Sequence, residues 1–428
     1  MHNPTHPVAR RAAPCHAALR HGDGKGQHEA MMRGSGAPAI LVINAGSSSV
    51  KFALYDAAEA PARPLLRGQV EAIGTAPRLR VRPDGGSDAT RPLAEGATHA
   101  QAVAAIVALL RDSAEGWRPI AVGHRVVHGG PDLAAPCVVD AALRARLVAL
   151  VPLAPLHQPH NIAGLDAAIA AFPGVPQVAC FDTAFHRSHP WEADVFALPR
   201  RFHDEGLRRY GFHGLSYESI VAQLAEEEPA LARGRLVVAH LGAGSSLCGI
   251  RDGRSIESSM GFTALDGVPM GTRSGGIDPG LVLHLLARPG MDADALTRLL
   301  YHESGLLGLS GISADVRDLL ASPAPEARQA LSHVAWRVRR EVGALAATLG
   351  GIDALVFTAG IGENAPAIRA MVCDGLDAFG LILDPARNEA GAPVISAGHS
   401  PARILVRHTD EEAVIARHTL ALAAQDFR

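Results

Sequence analysis

Two stretches of this 428-residue chain carry the same arrangement of glycine and serine between apolar runs. Residues 41–56 contain the corner NAGSSS (44–49), and residues 237–252 contain the corner GAGSS (242–246). Glycine lets a backbone approach a ligand closely, and the N–H groups of a turn form, with serine hydroxyls, a concavity suited to phosphate oxygens. Two such corners can hold one polyphosphate between them. The duplication therefore indicates two related domains that close on a nucleotide.

The apolar patterns around these corners predict an order of strands and helices. Each corner joins the two strands of a hairpin, because apolar and β-branched runs flank it on both sides. Further strands are expected at residues 65–70, 78–82, 119–127, 177–181 and 354–357, helices at 99–111, 141–150, 161–171, 325–349 and 411–424, and loops at 182–186 and 358–364. Strands followed by alternating helices and strands indicate a mixed sheet with helices on its faces, an α/β fold.

Length and composition exclude several classes of protein. Domains usually contain about 100–200 residues, so a chain of this length is expected to form two or three, and two is the simpler interpretation. A hydrophobic fraction of 48%, a charged fraction of 19% and a net charge of −3 are typical of a soluble enzyme. The sequence has no concentration of positive charge that would attract nucleic acid. The longest apolar stretch, residues 342–362, is interrupted by Gly350, Gly351 and Asp353, so no membrane span is predicted.

Cysteine and histidine spacing gives no sign of a structural metal. The five cysteines are widely separated and contain no C-x-x-C pair, which favours a reducing cytoplasm over a disulfide framework or a zinc site. His124 and His128 have the i, i+4 spacing of a zinc motif, but the glutamate of such a motif is missing and a strand is expected there. Neither pattern predicts zinc.

The first 36 residues differ from the rest because they lack any core-forming periodicity. We expect a mobile N-terminal extension at 1–36. The short apolar run at residues 17–19 does not predict a signal peptide, and a start at Met31 or Met32 is an equally compatible interpretation. Domain one is then expected at residues 37–185, with the helix at 412–428 packing back on it, and domain two at residues 186–411.

Nine ordered segments resemble the acetate kinase family, within the superfamily of acetate and sugar kinases, Hsp70 and actin. They are NAGSSS (44–49), HRVVHGG (124–130), FDTAFH (181–186), RYGFHG (209–214), HLGAGSS (240–246), MGTRSG (270–275), DVRD (315–318), FTAGIGEN (357–364) and TDEE (409–412). One glycine-rich loop would be weak evidence, whereas the whole series in family order is specific. The resemblance implies two duplicated ribonuclease-H-like domains, the actin-like ATPase fold, around a central cleft.

The same resemblance implies an activity and its partners. It implies reversible phosphoryl transfer from ATP to acetate, giving acetyl phosphate and ADP, with Mg²⁺, or Mn²⁺ in its place, as the cofactor. It further implies a cytoplasmic homodimer in which domain two binds the nucleotide and forms the dimer. No nucleic acid or membrane partner is expected.

Two arginines suit this chemistry. A small carboxylic acid, with a pKa of roughly 4–5 like that of Asp or Glu, is already an anion at neutral pH and needs no general base. It needs a cationic clamp, because two anions must approach and the moving phosphoryl spreads charge over its oxygens. Arg125 and Arg273, one from each domain, are the candidates, since guanidinium groups match carboxylate and phosphate oxygens in pairs. The alternative for each is a surface ion pair.

The resemblance assigns further roles residue by residue. His213 resembles the family histidine that donates a hydrogen bond to the moving phosphoryl group, and His157 resembles a pocket histidine. Asp182 and Glu411 resemble the metal-side carboxylates, with Asn44 beside them, although charge pairing at a helix N-terminus would also account for Glu411. The catalytic set is Asp182, Arg125, Arg273 and His213.

Phosphate and nucleotide contacts follow from the glycine-rich segments of the same resemblance. The phosphoryl end would be held by Asn44, Ser47, Ser49, His240, Gly242, Gly244 and Ser245. ATP contacts would come from Lys51, His240, Leu241, Gly242, Ala243, Gly244, Asp315, Val316, Arg317, Gly360, Ile361, Gly362, Glu363 and Asn364.

The acyl pocket is expected to have apolar walls. By resemblance these are Val127, Leu156, Phe212 and Ala264, beside Arg125 and His157. Ala264 replaces a proline common in the family, which enlarges the pocket, and one methylene discriminates by only about 1–3 kcal/mol. A propionate or short-chain carboxylate kinase is therefore the alternative specificity.

Three other positions depart from the family pattern. Ala243 stands where asparagine is frequent, Asp266 where glutamate is usual, and Gly276 where an acidic residue is frequent. Ala243 removes a side-chain hydrogen bond to phosphate, which concerns nucleotide affinity more than reaction class.

Two other functions remain open from the sequence. A sugar kinase would need a base to accept a hydroxyl proton, and Asp182 is the only obvious candidate. An actin-like, nucleotide-gated binding protein would use closure without an acceptor, but the paired arginines and the apolar pocket argue against it. A kinase is also expected to close its domains and exclude water.

Overall fold

This computed structural model describes residues 36–46, 48–58, 63–83, 88–113 and 117–426. The mobile extension predicted at residues 1–36 therefore lies outside the described residues except for Gly36, and Ser47 lies outside them too. In chain order, strands β1 to β13 are Ala37–Ala45, Val50–Asp56, Leu66–Glu71, Arg78–Pro83, Ala89–Pro92, Trp117–Val126, Cys137–Val138, Gln177–Phe181, Arg235–Leu241, Ser245–Arg251, Arg254–Ser258, Ala354–Thr358 and Arg403–Val406.

Among the described residues, the helices are more numerous in the second half of the chain. In chain order, α1 to α16 are His99–Ser113, Ala141–Ala149, Gln158–Ala171, Trp191–Asp194, Arg200–Asp204, Gly214–Glu227, Pro229–Ala232, Pro279–Leu286, Ala293–His302, Gly305–Ser310, Val316–Ala321, Pro325–Leu349, Ala359–Asn364, Pro366–Cys373, Pro385–Glu389 and Glu411–Asp426. Short 3₁₀ turns lie at Val151–Leu153, Ala184–Ser188 and Asp377–Phe379. None of the helices in the described ranges is both long and apolar enough to cross a membrane.

Two sheets repeat one topology. The first has the order β5-β4-β3-β2-β1-β6-β8-β7 and the second the order β11-β10-β9-β12-β13. In each, a central strand pairs antiparallel with the next strand of its hairpin and parallel with a later strand, so β3-β2-β1-β6-β8 matches β11-β10-β9-β12-β13 in both order and direction. The prediction of a duplicated mixed α/β fold is confirmed.

The central strands are apolar along most of their length, because helices cover both of their faces. In β1, Ile40 and Val42 pack against the cluster that includes Ile415 of α16, whereas Leu41 and Ile43 pack against the cluster that includes Ile106 of α1. In the second sheet, α12 covers one face of β9 and α6 covers the other. Each sheet is therefore buried on both faces. The side chains at the carboxyl-terminal ends of its strands remain available to contact a ligand.

The last helix returns to the first sheet. Helix α16 packs against β6, β1 and β8 through Val414, Ile415 and Ala416, which are fully buried. Its first residue, Glu411, follows a short connection from β13 of the second sheet. The C-terminal helix thus covers one face of the sheet that the N-terminal half of the chain forms.

Two sequence predictions need correction or extension. The loop expected at residues 358–364 is wrong for its second part, because Ala359–Asn364 forms the helix α13 immediately after β12. Its glycines suggested a loop, yet only Ala359, with φ 65°, leaves the right-handed region. The strands β5, β7, β11 and β13 and the helices α4 to α11, α14 and α15 were not predicted.

Candidate active site

The first glycine and serine corner is held by side chains from two helices. Asn161 Nδ2 of α3 donates to the Ala45 carbonyl at 2.6 Å, and Asn161 Oδ1 accepts from the Val127 N–H at 2.9 Å. His99 Nε2, at the start of α1, donates to the Gly46 carbonyl at 2.6 Å. Asn161 therefore ties the corner after β1 to the end of β6.

Arg125, near the end of β6, faces two carboxylates. Its Nε lies 3.0 and 3.1 Å from the two oxygens of Asp182, its Nη2 lies 2.6 Å from Asp182 Oδ2, and its Nε lies 3.7 Å from Glu411 Oε2. Burial raises the pKa of Asp182, which is 1% exposed, and the Arg125 guanidinium lowers it part of the way back. Burial works against the charge of Arg125, but the two carboxylates raise its pKa above the ordinary value. Arg125 is thus a charged group with a fixed orientation.

Arg273 reaches the same region from the second half of the chain. Its Nη1 lies 3.2 Å from the Ala264 carbonyl oxygen and 3.9 Å from Met270 Sδ. Burial lowers the pKa of Arg273, and an arginine remains charged at neutral pH nonetheless. Within the described residues it has no carboxylate partner, so its charge is available to an anion.

Two histidines stack face to face between the sheets. The rings of His213 and His240 lie 4.2 Å apart between centroids at 20°. His213 Nδ1 is 2.8 Å from Ser246 Oγ, and His240 Nδ1 is 2.8 Å from Ser216 Oγ. Burial lowers the pKa of His240 to about 4 and holds the pKa of His213 well below its ordinary value, with His240 and the two arginines adding to the latter shift. Both rings are therefore neutral at pH 7.

The electrostatics of His157 link the two arginines. Burial, followed by the charges of Arg273 and Arg125, lowers the pKa of His157 to about 4. The same two charges lower the pKa of His213. Arg125 lies on β6 and Arg273 lies in the loop between β11 and α8, and both guanidinium groups act on the same pair of rings. The two charges therefore lie near each other.

An apolar cluster adjoins this cationic region. Its buried members are Val127, Ala154, Tyr210, Phe212, Met260 and Met270, and its partly buried members are Leu153, Phe262 and Ala264. Val127, Phe212 and Ala264, three of the four predicted acyl walls, therefore lie together. Leu156, the fourth, is partly buried and lies outside this cluster.

The second corner adjoins the start of α13. A Cβ on Gly242 would lie 3.8 Å from Ala359 Cβ, and a Cβ on Gly244 would lie 3.6 Å from His213 Nε2 and 3.8 Å from Arg273 Nη1. Ser245 Oγ closes the turn through the N–H and carbonyl of Gly242. Gly242 and Gly244 are partly exposed and Ala243 is exposed, so backbone is available to a ligand at this corner.

The other predicted nucleotide residues form two small networks. Asp315 caps α11 by accepting from the Arg317 N–H at 2.8 Å and pairs with the Arg317 guanidinium, while Val316 is buried. Glu363 Oε2 lies 2.6 Å from His408 Nδ1, and Asn364 Nδ2 donates to the Gly360 carbonyl at 2.9 Å. Leu241 ends β9, Ile361 is partly buried and Gly362 is buried beside β9 and β12.

Three predicted residues of the first half lie at the edge of this region. Asn44 is 7% exposed at the end of β1, and Ser49 is partly buried where the corner turns back. Lys51 is exposed on β2 opposite Asn44. Desolvation raises the pKa of the half-buried Glu412, and the charge of Lys51 offsets part of that rise.

Sequence reasoning missed three polar residues that organise the site. Asn161 was taken only as the start of a helix, although a polar residue on the buried face of an amphipathic pattern signals a hydrogen-bonding duty. Ser246 and Tyr217 hold the buried side of His213, and Tyr217 follows His213 by one helical turn, a spacing that places both on one face.

Comparison with known proteins decides the family. The profile of the acetokinase family matches residues 39–417. An acetate kinase from Methylocella silvestris is 51% identical over 396 residues, covering 90% of this chain and 98% of that protein. One from Rhizobium meliloti is 51% identical over 390 residues, with 90% and 98% covered. This chain belongs to the acetokinase family.

Solved structures of related proteins share its fold. The acetate kinase of Porphyromonas gingivalis superposes with a TM-score of 0.82 at 36% identity, covering 90% of this chain and all of that one at 100%. A propionate kinase from Francisella tularensis gives a TM-score of 0.84 at 35% identity, with 90% and 99% covered. The actin-like fold expected for an acetokinase is confirmed.

Two departures from the acetokinase pattern are neighbours in space. A Cβ on Gly276 would lie 3.0 Å from Asp266 Oδ1, and Asp266 Oδ2 forms an ion pair with Arg209 Nη1 at 3.4 Å. An acidic side chain at position 276 would place a second negative charge next to the Asp266 carboxylate, and the two charges would repel each other. Glycine at position 276 avoids this repulsion, so it is compatible with aspartate at position 266.

Proposed function

We propose that this protein is an acetate kinase that transfers the γ-phosphoryl group of ATP to acetate directly and reversibly, giving acetyl phosphate and ADP. The observation that carries this proposal is the convergence of Arg125 and Arg273 on two neutral histidines beside an apolar cluster. A carboxylate acceptor is already ionised and needs charge neutralisation rather than proton removal. The family membership of the chain points to the same reaction.

In this proposal the two arginines have different duties. Arg125 is oriented by Asp182 and receives the acetate carboxylate at the edge of the apolar cluster. Arg273, whose charge has no carboxylate partner within the described residues, neutralises the transferring phosphoryl oxygens. His213, neutral and 3.6 Å from the Cβ position of Gly244, donates a hydrogen bond to the same group.

The nucleotide would lie along the second corner. Backbone groups at Gly242 and Gly244 and the ring of His240 adjoin the start of α13, where phosphates would be received. The adenosine end would extend toward the Asp315 and Arg317 pair and the Gly360–Asn364 segment. Ser49 and Asn44 would close on the phosphoryl end from the first corner, with Ser47 between them in the sequence.

Mg²⁺, or Mn²⁺ in its place, fits the acidic side of this site. Among the described residues, the one ion pair of Glu411 is the 3.7 Å contact with Arg125, so its oxygens are available, and Asn44 lies near the end of β1, which pairs with β6. Mg²⁺ prefers one or two carboxylates together with phosphate oxygens and waters. Glu411 and Asn44 would hold the ion, with Asp182 contributing through water. When bound, the ion supplies positive charge to the polyphosphate.

The domain limits and the assembly belong to the same proposal. Domain one would comprise residues 37–185 together with the helix from 412, and domain two residues 186–411, in a cytoplasmic homodimer. The exposed Leu281, Leu283 and Leu286 of α8 and Trp336 of α12 support a contact surface on domain two. Sedimentation equilibrium would give twice the chain mass, and a monomer at micromolar concentration would contradict the dimer.

The reaction is tested with a panel of acceptors. The protein is incubated with ATP, Mg²⁺, hydroxylamine and one short acid at a time, because acyl phosphates are trapped as coloured hydroxamates. Acetate is expected to give the highest yield, with ADP formed in equal amount. No hydroxamate from any acid would overturn the proposal.

Propionate is the second candidate substrate. Ala264 is only partly buried and adjoins the flexible side chains of Met260 and Met270, which can repack around one more methylene. The same panel would then give a kcat/KM for propionate within about tenfold of that for acetate. Ala264→Pro should reduce the propionate value more than the acetate value, because the proline ring refills the wall. If Ala264→Pro lowered kcat/KM equally for both acids, position 264 would not determine the choice between acetate and propionate.

The geometry disfavours a sugar hydroxyl as acceptor. Asp182 is the only obvious base, and both of its oxygens are held by the Arg125 guanidinium at 2.6–3.1 Å. Although burial raises the pKa of Asp182, a substrate hydroxyl would have to compete with the Arg125 guanidinium for both of its oxygens. In an actin-like binding protein without acceptor chemistry, Arg125→Ala would leave ATP turnover unchanged and added acetate would have no effect.

A further inference from the structure

His213 has a buried side and a cleft side. On the buried side, His213 Nδ1 is 2.8 Å from Ser246 Oγ, and Ser246 Oγ is in turn hydrogen bonded to the hydroxyl of Tyr217. Ser246 and Tyr217 are both fully buried. On the cleft side, Nε2 faces the backbone of Gly244. The three side chains form a short chain that ends at the proposed phosphoryl site.

The number of hydrogen-bond donors decides how protons are distributed among Tyr217, Ser246 and His213. The Tyr217 hydroxyl has Ser246 Oγ as its one hydrogen-bond partner among the described residues, so the tyrosine proton is satisfied only if Tyr217 donates to Ser246. Ser246 then donates its own proton onward to His213 Nδ1. In the reverse arrangement His213 Nδ1 would donate to Ser246, Ser246 to Tyr217, and the tyrosine proton would be left buried without an acceptor.

The neighbouring His240 offers a contrast. Its Nδ1 pairs with Ser216 Oγ at 2.8 Å, and among the described residues no second hydroxyl fixes which of the two donates. Of these two hydrogen-bonded series, the one at His213 ends in a buried tyrosine whose proton has one acceptor within the part of the protein that the structure describes. The direction of donation is thus set at His213 and left open at His240.

We propose that Tyr217 and Ser246 are positioning residues that hold His213 as the tautomer with its proton on Nε2. This proposal rests on the proposed kinase function, because it gives His213 a donor where the phosphoryl group would pass. With the opposite tautomer, the Nε2 lone pair would face anionic oxygens and repel them. Neither residue touches the substrate in this account.

The first measurement is spectroscopic and independent of turnover. The protein is labelled with ¹⁵N-histidine, and the His213 resonances are assigned by their loss in His213→Gln. At pH 7.5 without ligands, a protonated Nε2 and an unprotonated Nδ1 are expected. A proton on Nδ1 in the unsubstituted protein would overturn the inference.

The second measurement uses substitutions along the chain. Tyr217→Phe and Ser246→Ala should give ¹⁵N shifts between the two tautomers and lower kcat roughly 10–100-fold, with the KM for ATP and acetate within about twofold. Ser246→Thr, which restores the hydroxyl, should recover both the shifts and most of kcat. Wild-type shifts and kcat in Tyr217→Phe would overturn the inference.

A control variant separates positioning from general loss of packing. Ser396 is 5% exposed, forms an isolated β-bridge with Leu383 and, among the described residues, shares no hydrogen bond with His213. Ser396→Ala should leave the histidine shifts and kcat unchanged. A failure of the kinase proposal remains distinguishable. In that case the unsubstituted protein would form no acetyl phosphate while its His213 tautomer could still be read from the spectrum.

Discussion

Arg125 and Arg273 carry the same charge but are held by different surroundings. Arg125 is fixed by the carboxylates of Asp182 and Glu411, whereas Arg273 contacts only a carbonyl oxygen and a thioether within the described residues. An arginine with its own counter-ions is rigid, and one without them keeps its charge for a ligand. The two positions should therefore respond differently to substitution.

Arg273→Ala should lower kcat/KM for acetate by roughly 100–1000-fold, because removing one preorganised charge from a developing anion costs about 3–4 kcal/mol. Folding stability should change by less than about 1 kcal/mol, since no ion pair is broken. Steady-state kinetics and urea unfolding give the two numbers. Arg273→Lys should recover only part of the rate, because an ammonium group cannot bind two oxygens in parallel.

Arg125→Ala is the matched contrast. It should impair turnover as severely and should also lower the free energy of unfolding by roughly 3–5 kcal/mol, since it leaves the buried Asp182 carboxylate unpaired. If Arg125→Ala proved as stable as Arg273→Ala, the fixed ion pair would not have the structural role assigned to it here.

At the scale of elements, the first corner depends on helices that contribute nothing to the chemistry. Helix α3 supplies Asn161, and α1 supplies His99, to carbonyl groups that β1 leaves at its end. Gly164 allows the approach, because a Cβ there would lie 2.6 Å from Ala45 Cβ. Close packing of α3 on β1 is therefore a condition for the corner's shape.

Asn161→Ala should remove both hydrogen bonds between the corner and the end of β6. The loss leaves the Val127 N–H and the Ala45 carbonyl unsatisfied, so the free energy of unfolding should fall by about 1–3 kcal/mol and kcat should fall at least tenfold. Urea unfolding and the hydroxamate assay measure these effects.

Asn388→Ala is the control for that substitution. Asn388 is equally buried and makes a similar bridge, accepting from Arg369 Nε at 2.7 Å and donating to the Pro366 carbonyl at 2.9 Å. It should lose comparable stability and keep kcat. A normal kcat in Asn161→Ala would show that the corner keeps its shape without the bridge.

At the scale of the whole molecule, neutral buried histidines set the response to acid. Burial lowers the pKa of His124 and His128 to about 4, against an ordinary value of 6.5. The unfolded chain therefore takes up protons first as the pH falls, and stability is complete above about 6.5 and is lost toward 4. The described residues thus predict a protein sensitive to mild acid.

His124→Gln should make the loss of stability with acid shallower. Each such histidine contributes about 1.4 kcal/mol per pH unit between the two pKa values, so removing one reduces the slope of unfolding free energy by that amount. Urea titrations at pH 7, 6 and 5 measure the slope. The variant His399→Gln, in which the replaced ring is exposed, should keep the slope of the unsubstituted protein.

Closure of the two halves is the second expectation at this scale. Ligands from both sheets must meet one substrate, and water must be kept from the phosphoryl group. X-ray scattering should give a smaller radius of gyration with Mg²⁺, acetate and a non-hydrolysable ATP analogue together than with any one alone. Arg273→Ala should reduce the contraction, and identical curves in all conditions would contradict closure.

Local patterns predicted the corners and the central strands because each depends on a few adjacent residues. The hairpins at Ala37–Asp56 and Arg235–Arg251 follow from apolar runs around glycine and serine. The bracing contacts could not be predicted, because Asn161 is separated from Ala45 by 116 residues and Arg125 from Asp182 by 57. The glycines of Ala359–Asn364 suggested a loop, whereas packing against β9 and β12 stabilises a helix there.

The return of α16 to the first sheet has a consequence for how the polypeptide is made. Ile40, Val42, Ala121, Val178 and Cys180 leave the ribosome long before the helix that covers them. The second sheet has all its strands by residue 406, so it can form before α16 covers the first sheet. We expect the nascent chain to expose this apolar face of the first sheet until translation is nearly finished, and to rely on chaperones during that interval.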